Sequence, residues 1–207
     1  MTLFPQEGRP SLILASGSGA RRMLLERAGL TFGVQVSDLD EAAMREAMGP
    51  PESLDPSDVA ELLARGKAEA VSERNPDAFV IGADQVLSLD GRMFGKPASM
   101  QDARARLLDF SGKTHRLHTA VVIAAKGETV WAHTDVPSLT MRRLSPEFIG
   151  HYLAAAGEGV LGSVGAYQLE SLGIQLFEKI DGDFFSILGL PLLPLLDALR
   201  REGAIEG

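Results

Sequence analysis

Two long β segments stand next to each other in the middle of the chain, at residues 115–125 and 129–141, and only a turn at Lys126-Gly127 joins them. A parallel crossover needs a dozen or more residues, so these neighbours are expected to pair antiparallel. Elsewhere, predicted helices and strands alternate, which is typical of βαβ units. The sequence therefore predicts an α/β fold with a mixed, partly antiparallel sheet flanked by helices.

The other elements are predicted from apolar runs, capping residues and turn signals. Buried strands are expected at residues 11–15, 32–36, 78–83 and 174–180. Helices are expected at about 20–28 and 55–74, after Ser99, at 145–157, and from about 191. Residues 42–54 are predicted to be a loop because they contain Gly49-Pro50-Pro51, and residues 157–165 to be a glycine-rich loop or hinge.

Length and charge bound the class of protein. The chain has 207 residues, which suits one large domain or two closely joined small ones. A formal net charge of -8 offers no general attraction to nucleic acid or to an anionic membrane, so any phosphate site must be a local cluster of cations. The chain has no cysteine, which excludes disulfides and thiolate metal sites and fits a reducing compartment.

Neither apolar stretch of the sequence is predicted to enter a membrane. The run from Leu12 to Ala15 is too short for a secretory signal. The run from Ile187 to Leu199 is interrupted by two prolines and an aspartate, and it falls short of the roughly 20 residues that a membrane span needs. We therefore expect a cytoplasmic protein without membrane partners.

The loop Ser16-Gly17-Ser18-Gly19 lies between a predicted strand and a predicted helix N-terminus. Backbone amides and the helix dipole favour an anion at such a place. The loop is neither a Walker A nor a Rossmann fingerprint, and a plain tight turn is the alternative. Arg21 and Arg22 lie in the first helical turn, where a cation opposes the dipole unless it meets a bound polyphosphate. In the alternative, both arginines point into water.

Three further charged residues are candidates for the same site. Asp84 directly follows the apolar run 79–83, at the expected end of a strand, where site residues of open α/β sheets are common; a turn cap is the alternative. Lys67 lies at the edge of the apolar face of its helix, from which its ammonium reaches either a cleft or solvent. Lys96 lies between a glycine and a proline, and this constrained loop fixes where its charge goes.

An acidic cluster follows the second predicted strand. Asp38, Asp40 and Glu41 offer oxygen ligands for Mg²⁺, which uses one or two carboxylates together with substrate phosphates and water. A solvated charged loop is the alternative. His115 and His118 are three residues apart on a predicted strand and so face opposite sides, which argues against a histidine metal pair.

Together these motifs resemble the Maf family, and the match extends over about residues 12–200. The matching segments, in chain order, are Ala15 to Leu25, Ser37 to Glu41, Lys67-Ala68, Gly82-Ala83-Asp84, Gly95-Lys96-Pro97, Ser111 to His115 and Gly189 to Leu192. Each motif is short, but their order and spacing make a chance match improbable. The resemblance implies a single Maf/ITPase-like domain over residues 1–207, with two lobes around a central cleft, and a homodimer.

The resemblance also implies a nucleoside triphosphate pyrophosphatase, a hydrolase that acts on phosphoric anhydrides with Mg²⁺ or Mn²⁺. Asp84, Lys67 and Lys96 would be the catalytic residues, with Asp84 as metal ligand or general base and Glu41 helping to place the metal. The substrate would be a nucleoside triphosphate, converted to monophosphate and pyrophosphate. The implied substrate-binding residues are Ser16, Ser18, Arg21, Arg22, Gln85 and Glu170.

The family varies with base preference at three positions, which here hold Ala20, Gln85 and Glu170. Gln85 and Glu170 resemble the residues of the branch that acts on 7-methyl-GTP. A glutamate accepts hydrogen bonds from a guanine N1–H and exocyclic amine, which a uracil ring does not offer together. Ala20 matches neither this branch nor the thymidine/uridine type, and Gly19 replaces the family's usual proline. The preference between 7-methyl-GTP and UTP or dTTP therefore stays open at this point.

Two other functions compete with the enzyme. The family has been linked to arrest of septum formation, so a nucleotide-binding regulator of cell division without essential catalysis is the alternative. The acidic residue Asp84 among the cations favours a catalytic function, because nucleotide binding alone would not need a carboxylate there. Nucleic-acid binding is disfavoured by the net charge of -8 and by the lack of a basic stripe with interleaved aromatic residues.

Overall fold

The structure is a computed structural model and describes residues 8–206. Residues 1–7 and 207 lie outside the described residues. They include both ends of the predicted domain and the first part of the N-terminal segment in which no secretory signal is predicted. Strands β1–β8 span Ser11–Leu14, Gly33–Val34, Ala78–Leu89, Arg92–Phe94, Thr114–Ala125, Glu128–Asp135, Ser138–Met141 and Phe177–Asp181. Helices α1–α7 span Gly19–Arg27, Glu41–Met48, Pro56–Ser72, Met100–Phe110, Pro146–Ala156, Phe184–Ile187 and Leu192–Arg201. Short 3-10 helices cover Pro51–Ser53, Gly157–Gly162 and Leu172–Leu176.

These strands form one mixed sheet, which confirms the predicted fold class. Its order is β2-β1-β3-β5-β7-β8, with β4 paired to β3 and β6 paired to β5. β1 pairs parallel with both β2 and β3, whereas the other pairs are antiparallel. The parallel part belongs to the N-terminal region, where helices separate the strands.

The two longest strands, β3 and β5, pair along most of their length and form the centre of the sheet. Their outer neighbours change halfway along. β1 accompanies residues 78–81 of β3, whereas β4 accompanies residues 87–89. The middle of β3 therefore has a free edge between β1 and β4, and Asp84 and Gln85 lie in that interval.

This arrangement corrects the expected end of the third strand. The sequence predicts a strand over residues 78–83, but β3 continues to Leu89, so Asp84 lies inside the strand and not at its end. The continuation is stabilised by burial of Val86, Leu87 and Leu89 and by pairing with β5. A pair of polar residues within a buried strand resembles a strand end when only the sequence is read.

The predicted loop 42–54 is also wrong, because it contains α2 and a 3-10 turn. The Asp40 side chain caps α2 by accepting a hydrogen bond from the Ala43 amide at 3.0 Å. No residue of α2 is buried, so the apolar periodicity that signals a helix is weak there. Tertiary contact with α3 accompanies it, through Met44 against Gly66.

Three further strand boundaries differ from the prediction. The segment 129–141 forms two strands, β6 and β7, because strand pairing is interrupted at Val136-Pro137 and a proline has no amide to donate to a sheet. β6 pairs with residues 119–125 of β5, whereas β7 pairs with residues 114–116. The segment 174–180 begins as a 3-10 turn, and β8 starts at Phe177. The strand 32–36 is reduced to Gly33–Val34.

Hydrophobic clusters cover both faces of the sheet. Helix α3 packs against one face of β3 and β5, and Gly82 allows the close approach, because a Cβ there would lie 2.3 Å from the Ala64 carbonyl oxygen. Helices α1 and α7 pack against the opposite face, and α4 and α5 cover the far halves of β3 and β5. Among residues 8–206, no helix is long and apolar enough to cross a membrane.

Candidate active site

A cavity of about 970 Å³ opens at the free edge in the middle of β3. Nine residues proposed from the sequence line it: Ser16, Ser18, Arg21, Glu41, Lys67, Asp84, Gln85, Lys96 and Glu170. They come from six separate parts of the chain, so the fold brings together what the sequence keeps apart. The tenth residue, Arg22, does not line the cavity, because its Nε pairs with Glu26 Oε1 at 2.7 Å on the exposed side of α1.

The centre of the cavity is a buried ion pair. Lys67 and Asp84 are 9% and 7% exposed, and Lys67 Nζ donates to Asp84 Oδ1 at 2.6 Å. The same ammonium lies 2.9 Å from Glu41 Oε1, and Arg45 Nη2 lies 3.6 Å from Asp84 Oδ2. Breaking a buried pair by removing one partner is costly. The cluster therefore holds the carboxylate of Asp84 in a fixed place.

The loop before α1 supplies the next wall. Ser18 caps α1 by accepting a hydrogen bond from the Arg21 amide. The Arg21 guanidinium turns back towards the sheet and donates to Ser16 Oγ at 3.0 Å, to the Ala83 carbonyl at 2.8 Å and to the Gly189 carbonyl at 2.8 Å. Burial lowers the pKa of Arg21, and Asp84 and Glu41 oppose that shift. Arg21 is thus a rigidly held cation beside the helix N-terminus.

Two further residues that line the cavity, Gln85 and Glu170, offer hydrogen-bond acceptors. Gln85 Nε2 lies 2.8 Å from Thr119 Oγ1, 3.1 Å from the Ser186 carbonyl oxygen and 3.2 Å from the Ile187 carbonyl oxygen, so the amide group is fixed. Within residues 8–206 its Oε1 has no hydrogen-bond partner. Glu170 and Lys96 are exposed, and neither forms an ion pair with another described residue. Besides its cations, the cavity thus contains a carboxylate that forms no ion pair and an amide oxygen that has no hydrogen-bond partner among residues 8–206.

The sequence reasoning missed several lining residues, of which Arg45, Phe94 and Tyr167 matter most. Arg45 lies four residues after Glu41, so both point the same way from α2. A correct prediction of α2 would have revealed this. Phe94 and Tyr167 carry no local signal, because only the tertiary fold brings an aromatic side chain to the cavity wall.

The two histidines excluded as a metal pair serve separate structural contacts. His115 Nε2 lies 2.7 Å from the Tyr167 hydroxyl, and both side chains are buried. Burial lowers the pKa of His115 to about 4 and raises the pKa of Tyr167, so both are neutral near pH 7. His118 joins Ser57 and Ser88, and burial is the main cause of its lowered pKa.

The donor set fits a divalent metal that binds together with a phosphate. Asp84 Oδ2 is buried and has no hydrogen-bond partner within the described residues, and Glu41 lies beside the same ion pair. Residues 8–206 hold no cluster of three or more potential metal-ligand side chains. Mg²⁺ does not require one, because it uses one or two carboxylates and completes its shell with phosphate oxygens and water.

The mixed sheet and the cavity define an α/β protein whose central cavity is lined by four basic side chains, Arg21, Arg45, Lys67 and Lys96, and by the buried carboxylate of Asp84. Residues 11–202 match the family described as Maf-like protein. The chain belongs to this Maf family, as the ordered motifs predicted.

Curated relatives match the chain over nearly its full length. A 7-methyl-GTP pyrophosphatase of Brucella suis is 54% identical over 196 residues, which cover 95% of this chain and 98% of the relative. A 7-methyl-GTP pyrophosphatase of Rhizobium johnstonii is 54% identical over 198 residues, 96% of this chain and 99% of the relative. A nucleoside triphosphate pyrophosphatase of Paramagnetospirillum magneticum is 54% identical over 193 residues, 93% of this chain and 99% of the relative.

Proposed function

We propose that the protein is a nucleoside triphosphate pyrophosphatase that hydrolyses modified nucleoside triphosphates to monophosphate and pyrophosphate, with 7-methyl-GTP as its preferred substrate. The observation that carries the proposal is the buried Asp84 carboxylate, which is surrounded by cations and has one oxygen without a hydrogen-bond partner among the described residues. The names of the relatives support the reaction, and several of them specify the base.

The residues around Asp84 suit an attack of water on the α-phosphorus. Arg21 and Lys96 bind the triphosphate, while Lys67 holds Asp84 Oδ1 and leaves Oδ2 free. A new bond forms between the water oxygen and the α-phosphorus, and the bond from that phosphorus to the α,β-bridging oxygen breaks. Where Asp84 acts as the general base, its Oδ2 takes up the proton of the water; where Asp84 holds the metal instead, the proton passes to bulk water. Pyrophosphate leaves with the bridging oxygen.

Asp84 and Glu41 would hold the divalent metal that the family implies. When bound, Mg²⁺ or Mn²⁺ neutralises charge on the phosphate oxygens. The chain itself contributes positioning and fixed charge, which are the main sources of catalysis in phosphoryl transfer. Removing the Asp84 charge should therefore abolish the reaction even when the substrate still binds.

The hydrogen-bond acceptors of Gln85 and Glu170 support the preference for a guanine derivative. Gln85 presents a carbonyl oxygen, because its amide nitrogen is held by Thr119, Ser186 and Ile187. Glu170 adds a free carboxylate. A guanine offers an N1–H and an exocyclic amine to such acceptors, whereas uracil and thymine do not offer these donors together.

The decisive experiment measures pyrophosphate release from 7-methyl-GTP, GTP, UTP and dTTP with Mg²⁺ or Mn²⁺. We expect the highest kcat/KM for 7-methyl-GTP and a loss of at least about a hundredfold in kcat for Asp84→Asn. Asp77→Asn is the matched control, because Asp77 is exposed just before β3. Release of single phosphates, or equal rates for Asp84→Asn and the wild type, would overturn the proposal.

The same assay addresses the regulatory alternative, which the relatives do not favour. Tight nucleotide binding without hydrolysis in the presence of any divalent metal would support a regulator of septum formation instead. A homodimer, a cytoplasmic location and the absence of nucleic-acid and membrane partners stay predictions. Light scattering of the purified protein checks the first of these.

A further inference from the structure

Two loops that line the cavity are joined by one side chain that does not line it. Arg106 lies on α4, and its Nη1 donates to the carbonyl oxygens of Gly95 and Val164, each at 2.5 Å. Gly95 precedes Lys96, whereas Val164 lies at the start of the segment 163–170, which ends with Glu170. One nitrogen therefore links the loop of a proposed phosphate-binding lysine to the segment 163–170.

This link has no substitute in the part of the chain that the structure describes. Neither carbonyl oxygen accepts another hydrogen bond from residues 8–206. The loop after Gly95 is otherwise anchored by the buried side chain of Pro97, and within residues 8–206 the exposed Lys96 forms no hydrogen bond or ion pair. Without Arg106, the backbone before Lys96 would lose its hydrogen-bonded link to the segment 163–170.

Arg106 is itself held in place. Its Cζ lies 5.4 Å from the centre of the Phe94 ring, which packs edge-to-face on Phe110 at 5.1 Å. Partial burial lowers the pKa of Arg106, and Asp102 opposes that shift. A planar guanidinium that is stacked and partly buried loses little further freedom when it donates two hydrogen bonds. It is therefore suited to fix the distance between two backbone segments.

We propose that Arg106 is a positioning residue for the pyrophosphatase reaction. It acts through Lys96: by holding Gly95 against Val164, it keeps the Lys96 ammonium where the triphosphate binds. The inference rests on the proposed function, since it requires Lys96 to bind a phosphate. A small displacement of a positioned group lowers the rate because the reaction depends on orientation.

A double-mutant cycle tests this role. Arg106→Met keeps the apolar stem on Phe94 but removes both hydrogen bonds, and we expect kcat/KM to fall about tenfold. In a Lys96→Met background, the same change should cost less than about twofold, because residues that act through one another are not additive. Arg104→Met is the matched control: it lies exposed on the same helix and should leave kcat/KM unchanged.

A purely structural role would give a different pattern. Additive effects of Arg106→Met and Lys96→Met, or a lower thermal midpoint with unchanged kcat/KM, would overturn the inference. Arg106→Leu, which also removes both hydrogen bonds, replaces Arg106→Met in the cycle should the latter not fold; its coupling with Lys96→Met decides in the same way. The cycle is repeated on the Kd of inorganic tripolyphosphate, which needs no turnover. A wild-type protein without pyrophosphate release but with coupled Kd values would therefore contradict the proposed function and still support the role of Arg106.

Discussion

At the scale of single residues, neighbouring side chains of the same type have different surroundings. Arg21 and Arg22 are adjacent in the first turn of α1, yet Arg21 donates to two backbone carbonyls and to Ser16 beside the cavity, whereas Arg22 pairs with Glu26 on the outside. The sequence could not distinguish them, because the direction of a side chain at a helix start depends on what the helix packs against.

We therefore expect the same substitution to have a large effect at Arg21 and little effect at Arg22. Arg21→Met should lower kcat/KM by roughly a hundredfold, because a fixed cation is lost. It should also lower the free energy of unfolding by about 2 kcal/mol, because two carbonyl oxygens lose a charged donor. Arg22→Met should change neither by more than about twofold in rate or about 0.5 kcal/mol, because exposed ion pairs contribute little. Steady-state kinetics and urea unfolding check both; equal rate losses would return Arg22 to the binding site.

At the scale of elements, local signals predicted three helices that begin with a strong cap. Asp55 before Pro56, Ser99, and Ser145 before Pro146 all cap helices where the sequence places them. α2 was missed because it depends on tertiary contact with α3. Asp84 was identified as a site residue, but the strand around it was cut short, since pairing with β5 continues where the apolar run pauses.

The contact between α2 and α3 gives a prediction at Gly66. A Cβ there would lie 3.1 Å from Leu39 Cδ2 and 3.2 Å from Met44 Cε, and both are ends of flexible side chains. Alanine also favours a helix interior by about 1 kcal/mol over glycine. Gly66→Ala should therefore keep or raise the thermal midpoint, while a small shift of α2, which carries Glu41 and Arg45, lowers kcat several-fold.

The contrasting variant is Gly82→Ala, in which the new Cβ meets the Ala64 backbone at 2.3 Å and cannot be accommodated by a side chain. This change should cost about 3 kcal/mol of folding free energy, as overpacking does. Calorimetry and kinetics of both variants separate the two effects. Full activity in Gly66→Ala would show that the position of α2 does not matter for the reaction.

At the scale of the whole molecule, stability depends on pH through a buried histidine, His115. Burial lowers the pKa of His115 from 6.5 to about 4. Below pH 6.5 the unfolded chain therefore takes up a proton that the folded chain refuses. The free energy of unfolding therefore decreases as the pH falls from 6.5 towards 4. The decrease is about 3 kcal/mol, since each unit of pKa difference corresponds to about 1.36 kcal/mol.

Chemical unfolding of the wild type and of His115→Phe at pH 7 and pH 4 measures this contribution. The difference in unfolding free energy between the two proteins should shift by about 3 kcal/mol in favour of the variant at the lower pH. His151→Gln serves as the control, since His151 is exposed. The same pH dependence in the wild type and in His115→Phe would rule out the buried imidazole as its source.

The link between the two cavity loops also bears on how such a chain can change over generations. Arg106 holds Gly95 and Val164 by their main-chain oxygens, which every amino acid possesses. Mutations that exchange side chains along 163–170 therefore leave the link intact. Under the proposed function, the lining of the cavity next to Glu170 can therefore be altered while Asp84 and Lys67, and with them the reaction, stay unchanged.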